Sequence, residues 1–261
     1  MAGLALSAAW FYRANPLPNG AADYAGQVAT ASAATYVTLR TLNAVLSTVQ
    51  EAAFTGSVVV AEATVQPLKA LEPIDDTIER ISDVVFAIML AAGVLSVALG
   101  PISAVGAGMV ALACLLWLGD LALGRRNPLV GLSRRLVWYG GFMAVGLPLA
   151  FLLSSAVADH LTRTVWDQHQ AVIATVMADV GAQTVAPLAD TEGWLAWLRE
   201  LSGDVDRYYT VAENALSHAD EMIGSFVALL SVYVFKLFLL PALMAGAVFV
   251  PTRFFATRDP M

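Results

Sequence analysis

The apolar positions of this chain fall in long runs rather than in alternation. Val84 to Gly119 is 36 residues without a charge, interrupted by Gly100-Pro101. Leu136 to Ala158 is a second such run of 23 residues, and it opens on Trp138-Tyr139, a pair suited to the headgroup level of a bilayer. Met222 to Thr252 is a third, 31 residues long, with Lys236 as its only charge. A bilayer core of about 30 Å takes about 20 helical residues at about 1.5 Å each, so all three runs reach the length of a span.

The first run would be about 54 Å long as one helix, well beyond a bilayer core. Pro101 removes an amide donor and restrains Gly100 before it. The pattern therefore predicts a hairpin with arms 84–99 and 102–119, with a re-entrant loop or a single crossing as alternatives. Together with 136–158 and 222–252 this gives the expected fold: an all-α polytopic membrane helical bundle of about four spans with a helical extramembrane region.

Charge sets the orientation. Residues 124–135 carry Arg125, Arg126, Arg134 and Arg135, and the tail 253–261 carries Arg253 and Arg258. The positive-inside rule places both in the cytoplasm. Residues 159–221 hold eleven acids against Arg163, Arg199 and Arg207, which suits the far side. The N-terminal region 1–83 is in conflict with the hairpin. Residues 14–83 have eight acids against Arg40, Lys69 and Arg80, a balance expected outside, whereas a hairpin would put them inside. An outside N-region requires residues 84–119 to cross once. The opening AGLALSAAWFY is too short to span and lacks a basic n-region, so it reads as an interfacial anchor or the end of a longer span rather than a signal peptide.

Outside the runs the period is helical. Trp194, Trp197, Leu198 and Leu201 follow the i, i+3, i+4, i+7 rhythm of one helix face, read as a packing seam or partner face. Val165, Val172 and Val176 form another stripe, Val205, Tyr208, Ala212 and Leu216 a third, and Leu39, Leu42, Leu46 and Val49 a fourth. Asp76 with Glu79 fits a helix-start capping box, and residues 56–65 are the one strand-like piece. The segments LNAVLSTVQE and LEPIDDTIERISDVV resemble multi-pass inner-membrane proteins of proteobacteria, a likeness over residues 36–100 that implies the compartment and no activity.

Composition narrows the function. The chain of 261 residues is 58% hydrophobic, only 13% charged, and has a net charge of −7. Binding nucleic acid needs a basic face, so we expect no such partner. Cys114, alone in an apolar run, behaves as a small hydrophobe. No P-loop, GxGxxG, HExxH, CxxC or GxSxG is present. His160, His169 and His218 have acidic neighbours but lack the i, i+4 pairing that presets a metal site. We therefore expect no enzyme, no cofactor and no metal.

Two features bear on assembly. Gly140 with Ala144, and Ala242 with Gly246, are small-residue pairs that let helices approach closely in lipid. Lys236 needs an anionic partner, a cavity or a reach to the headgroups. In the four-span arrangement Asp120 lies within about 6 Å of its depth at 1.5 Å per residue, so a Lys236–Asp120 pair is expected, with Asp83 or an anionic headgroup as alternatives. The resulting reading is a scaffold or accessory subunit in the bacterial inner membrane, partnered by lipid and by other subunits or copies of itself. The alternative is an oligomeric channel or transporter with Lys236 lining an anion path.

Overall fold

The computed structural model describes Gly3 and residues 15–56, 72–122, 130–179 and 217–257. Helix α1 is Pro16–Gly56, and α2 is Glu72–Ala122. Helix α3 (Val130–Gly141) passes through a π turn at Phe142–Gly146 into α4 (Leu147–Asp179). Helix α5 (Ala219–Val234) passes through a second π turn at Phe235–Leu239 into α6 (Leu240–Thr257). No strand occurs among the described residues. Three helices, Glu72–Ala122, Gly131–Thr175 and Ala219–Thr257, are long and apolar enough to cross a membrane.

The hairpin expected at Gly100-Pro101 is corrected, and the four-span count with it. Helix α2 continues for 51 residues with Pro101 inside it. Pro101 is exposed, so its ring and the carbonyl it leaves without an amide lie on the outer side of the helix. A single interior proline bends a helix at modest cost when flanking residues keep their bonds. Helix α2 also starts one turn before the expected capping box, with Glu72 and Asp75 acidic in its first turn, where they face the positive end of the helix dipole. Helix α1 begins on Pro16, a residue preset for the first helical position, and Asn15 Oδ1 accepts the Leu17 N–H at 3.2 Å.

The chain divides into two compact units. The first holds residues 1–29, 90–161 and 234–261. In it α2 runs antiparallel to α3–α4, since Ser103 meets Ala144 and Ala113 meets Ser133. Helices α4 and α6 are also antiparallel, with Asp159 at Lys236 and Gly146 against Val248. The α2–α3 crossing is built from glycine. A Cβ on Gly106 would lie 2.5 Å from Ala144 N, and one on Gly140 would lie 2.8 Å from Gly106 O. Between α3 and α6, Trp138 stacks on Phe255 and Phe142 meets Phe249 edge-on.

The second unit holds residues 30–89 and 162–233. Its core is large and apolar: Leu39, Leu42, Leu46, Ile78, Met222, Phe226 and Tyr233 are fully buried. The Leu39/Leu42/Leu46 stripe is thus a core face. Of the Val165/Val172/Val176 stripe, Val165 is exposed and Val172 half-buried, while Thr162 and Ile173 are buried; the Val176 side chain lies outside the described residues. Trp166 packs edge-on against Tyr233 on the same side. The expected span 222–252 falls within the apolar helix Ala219–Thr257, and its first part, with Met222, Phe226, Leu229 and Tyr233, contributes buried side chains to this unit.

Candidate functional site

Lys236 sits inside the second π turn, and its surroundings follow from one proline. In an α-helix the Leu240 N–H would bond to Lys236 O; here it bonds to Phe235 O, one residue further back. The next donor in line, residue 241, is proline and has none. Lys236 O is left without a main-chain donor, and Tyr24 from α1 fills the gap, its O–H donating at 3.0 Å. The widened turn also keeps the Pro241 ring clear of the carbonyl four residues before it.

The first π turn also ends at a proline, but the carbonyl capped there lies one position further on, at Ala144, the counterpart of Leu237 rather than of Lys236. Leu147 N–H bonds to Phe142 O, and proline follows at 148. Ala144 O would be the α-helical acceptor of residue 148; it instead accepts the Ser103 hydroxyl of α2 at 2.9 Å. Pro148 and Pro241 are both buried, while Pro101 and Pro251 are exposed and carry no π turn. Freed carbonyls cost most where water cannot reach them, and that is where a hydroxyl from another helix is supplied.

The lysine side chain finds its acid on α4. Lys236 Nζ donates to Asp159 Oδ1 at 2.7 Å, with the two side chains 19% and 59% exposed. The expected partner Asp120 is corrected. Its depth was reckoned from a turn at Pro101 that does not form. With α2 continuous, Asp120 lies beyond the level of Ala113, which meets Ser133. Ser133 is 26 residues before Asp159 along α3–α4, about 39 Å at 1.5 Å per residue. Asp120 Oδ1 is buried there with no hydrogen-bond partner. Asp83 is not the partner of Lys236 either: it lies 3.7 Å from Arg40 in the second unit. Lys236 and Arg253 instead bound a charge-free stretch of 16 residues, about 24 Å of helix.

The other sequence candidates separate. Gly140 and Ala144 lie at the α2–α3 crossing with Gly106. Ala242 and Gly246 are exposed, and a Cβ on Gly246 would meet nothing within 4 Å. His169 Nδ1 lies 3.1 Å from Ser225 Oγ, His218 lies beside Ser217, and His160 is exposed. No group of metal-ligating residues forms among the described residues. Trp194, Trp197, Leu198 and Leu201, the stripe at 205–216 and the strand-like piece at 57–65 lie outside the described residues. Sequence reading passed over Tyr24 and the two Leu-Pro steps at 147–148 and 240–241. A proline within an apolar run was the available signal.

An all-helical membrane-type chain with a clamped ion pair is the class that this geometry defines. Comparison with protein-family models, curated proteins and solved structures finds no match for the chain.

Proposed function

We propose that the protein is a non-enzymatic integral membrane protein, a scaffold or accessory subunit that crosses the bilayer three times and carries a helical bundle outside it. The observation that supports this is the length of its apolar helices: 51, 45 and 39 residues, each well beyond the 20 or so that a bilayer needs. The excess helix in the second unit encloses a core of large side chains, which suits holding a partner. One crossing by α2 also removes the conflict at the N-terminus. The acidic N-region then shares a side with 159–221, and the arginine-bearing segments 124–135 and 253–261 share the other, the cytoplasm of a bacterial inner membrane.

The channel reading draws less support. Lys236 is neutralised by Asp159, and the span hydroxyls turn to main chain: Ser96 to Gly93 O, Ser103 to Ala144 O, Ser154 to Ala150 O and Ser155 to Leu152 O. Little polar surface is left to line an ion path.

Two measurements test the proposal. In a Cys114→Ser background, Ala34→Cys and Gly131→Cys, both at exposed positions, should label from opposite sides of the membrane. Labelling from one side would overturn the three-crossing arrangement. Native mass in mild detergent should give one copy bound to a fixed number of foreign chains. A ring of identical copies would overturn the accessory-subunit reading in favour of a pore.

A further inference from the structure

In the first unit the Lys236–Asp159 ion pair joins the second π turn to α4. What the ion pair adds is a dependence on α1. We propose that the π turn at Phe235–Leu239 is latched by Tyr24, so that Lys236 holds Asp159 only while the N-terminal half of α1 is seated on the first unit. A π turn holds one residue more than the α-helix it interrupts, and it can migrate along the helix. Migration re-faces only the residues it passes, each by about 100° at 3.6 residues per turn. Lys236 lies inside this turn, so its direction depends on where the turn stays.

Two contacts keep the turn in place. Pro241 cannot supply the amide that an α-helix would need there, and the Tyr24 hydroxyl satisfies the Lys236 carbonyl left over. The seat of α1 includes small residues. Ala21 and Ala25 are fully buried, and Gly20 lies close against Leu152, where an added Cβ would come to 2.9 Å from Leu152 Cδ2. Tyr24 and Val28 are buried beside these small residues and complete the seat. Lifting it uncaps a carbonyl, releases the turn, and sets free a cation on α6 and a carboxylate on α4. A partner that draws on α1 therefore changes charge at a point it does not touch.

The chain has two lysines, Lys69 and Lys236, so labelling by an amine-reactive reagent on the full-length protein in mild detergent reads the latch directly, with Lys69 as internal reference. Asp159→Asn should raise Lys236 labelling severalfold by removing the partner. Tyr24→Phe, which deletes only the capping hydroxyl, should raise it to the same level, and the two together should go no further. Ser103→Ala, which removes a hydroxyl cap at the other π turn, should leave it unchanged. Pro241→Ala restores the missing amide and frees the turn, so it should raise Lys236 labelling with Tyr24 in place; this variant covers the case in which Tyr24→Phe does not fold. Unchanged Lys236 labelling in Tyr24→Phe and in Pro241→Ala would overturn the latch. So would a rise in Ser103→Ala equal to that in Tyr24→Phe.

Discussion

The two units of this chain differ in what they leave on the outside. In the second unit, Leu39, Leu42, Leu46, Ile78, Met222, Phe226 and Tyr233 are buried, while Glu72, Asp76, Glu79, Arg80, Asp83, Arg163 and Asp167 are exposed. In the first unit the large apolar side chains face outwards: Val94, Val105, Leu115, Leu243 and Val250 are more than half exposed. Beside buried Leu99, Phe151 and Leu237, its closest helix contacts are made by Gly106, Gly140, Ala144, Ser103 and Ser133. The same chain thus follows two packing rules. Water drives large side chains inwards, whereas lipid gives them no reason to leave the surface, so contact there rests on close approach and on satisfied polar groups.

The largest effects should divide along that line. Phe226→Ala empties a fully buried position in the second unit and should cost about 3–5 kcal/mol. Leu243→Ala, at a 61% exposed position in the first unit, should stay within about 0.5 kcal/mol. Thermal unfolding in mild detergent reads both, and equal losses would break the comparison. The first unit should be sensitive instead at glycine. Gly106→Ala drives a Cβ to 2.5 Å from Ala144 N and should lose about 1–3 kcal/mol or more, since main chain must move. Gly246→Ala meets open space and should be neutral or slightly stabilising.

An acid on the surface distinguishes the two solvents. Val105→Asp, at an exposed position midway along the charge-free part of α2, should cost about 2.5–3.5 kcal/mol of insertion energy, read as lost recovery in the membrane fraction. Ala34→Asp, on the exposed face of α1 in the second unit, should leave recovery unchanged. Equal tolerance at both positions would mean that the exposed face of α2 is wet.

The sequence made the helices legible and hid where they turn. Periodicity marked Leu39, Leu42 and Leu46 correctly because a water-solvated core forces large side chains onto one face. It failed at Val165, where apolar residues sit on the exposed face of α4 and the signal no longer separates inside from outside. Gly100-Pro101 was read as a turn on grounds that hold in water. Proline inside a helix costs less where the freed carbonyl lies on the outer side, as at Pro101, or receives a hydroxyl, as at Pro148 and Pro241. The Lys236–Asp120 expectation inherited that error, since its depth was counted from a turn that does not form. The run 222–252 lies within an apolar helix as expected, but its hydropathy did not reveal that Met222, Phe226 and Tyr233 pack against protein.

A small effect is expected at Lys236, and it bears on the comparison most finely. With Asp159 59% exposed, water screens the pair, and an ion pair so placed contributes about 0.2–1 kcal/mol. Lys236→Met and Asp159→Asn should each lower stability by that order, the double variant should recover part of the loss, and high salt should shrink the coupling. A coupling of zero would mean that the lysine reaches past Asp159 to the headgroups. A coupling of several kcal/mol, unmoved by salt, would mean that lipid rather than water surrounds the pair, because removing one partner of a dry pair leaves the other unsolvated. The intermediate value is expected because Lys236 ends the 16-residue charge-free stretch that begins before Arg253, and a charge at the end of such a stretch stands where one solvent gives way to the other.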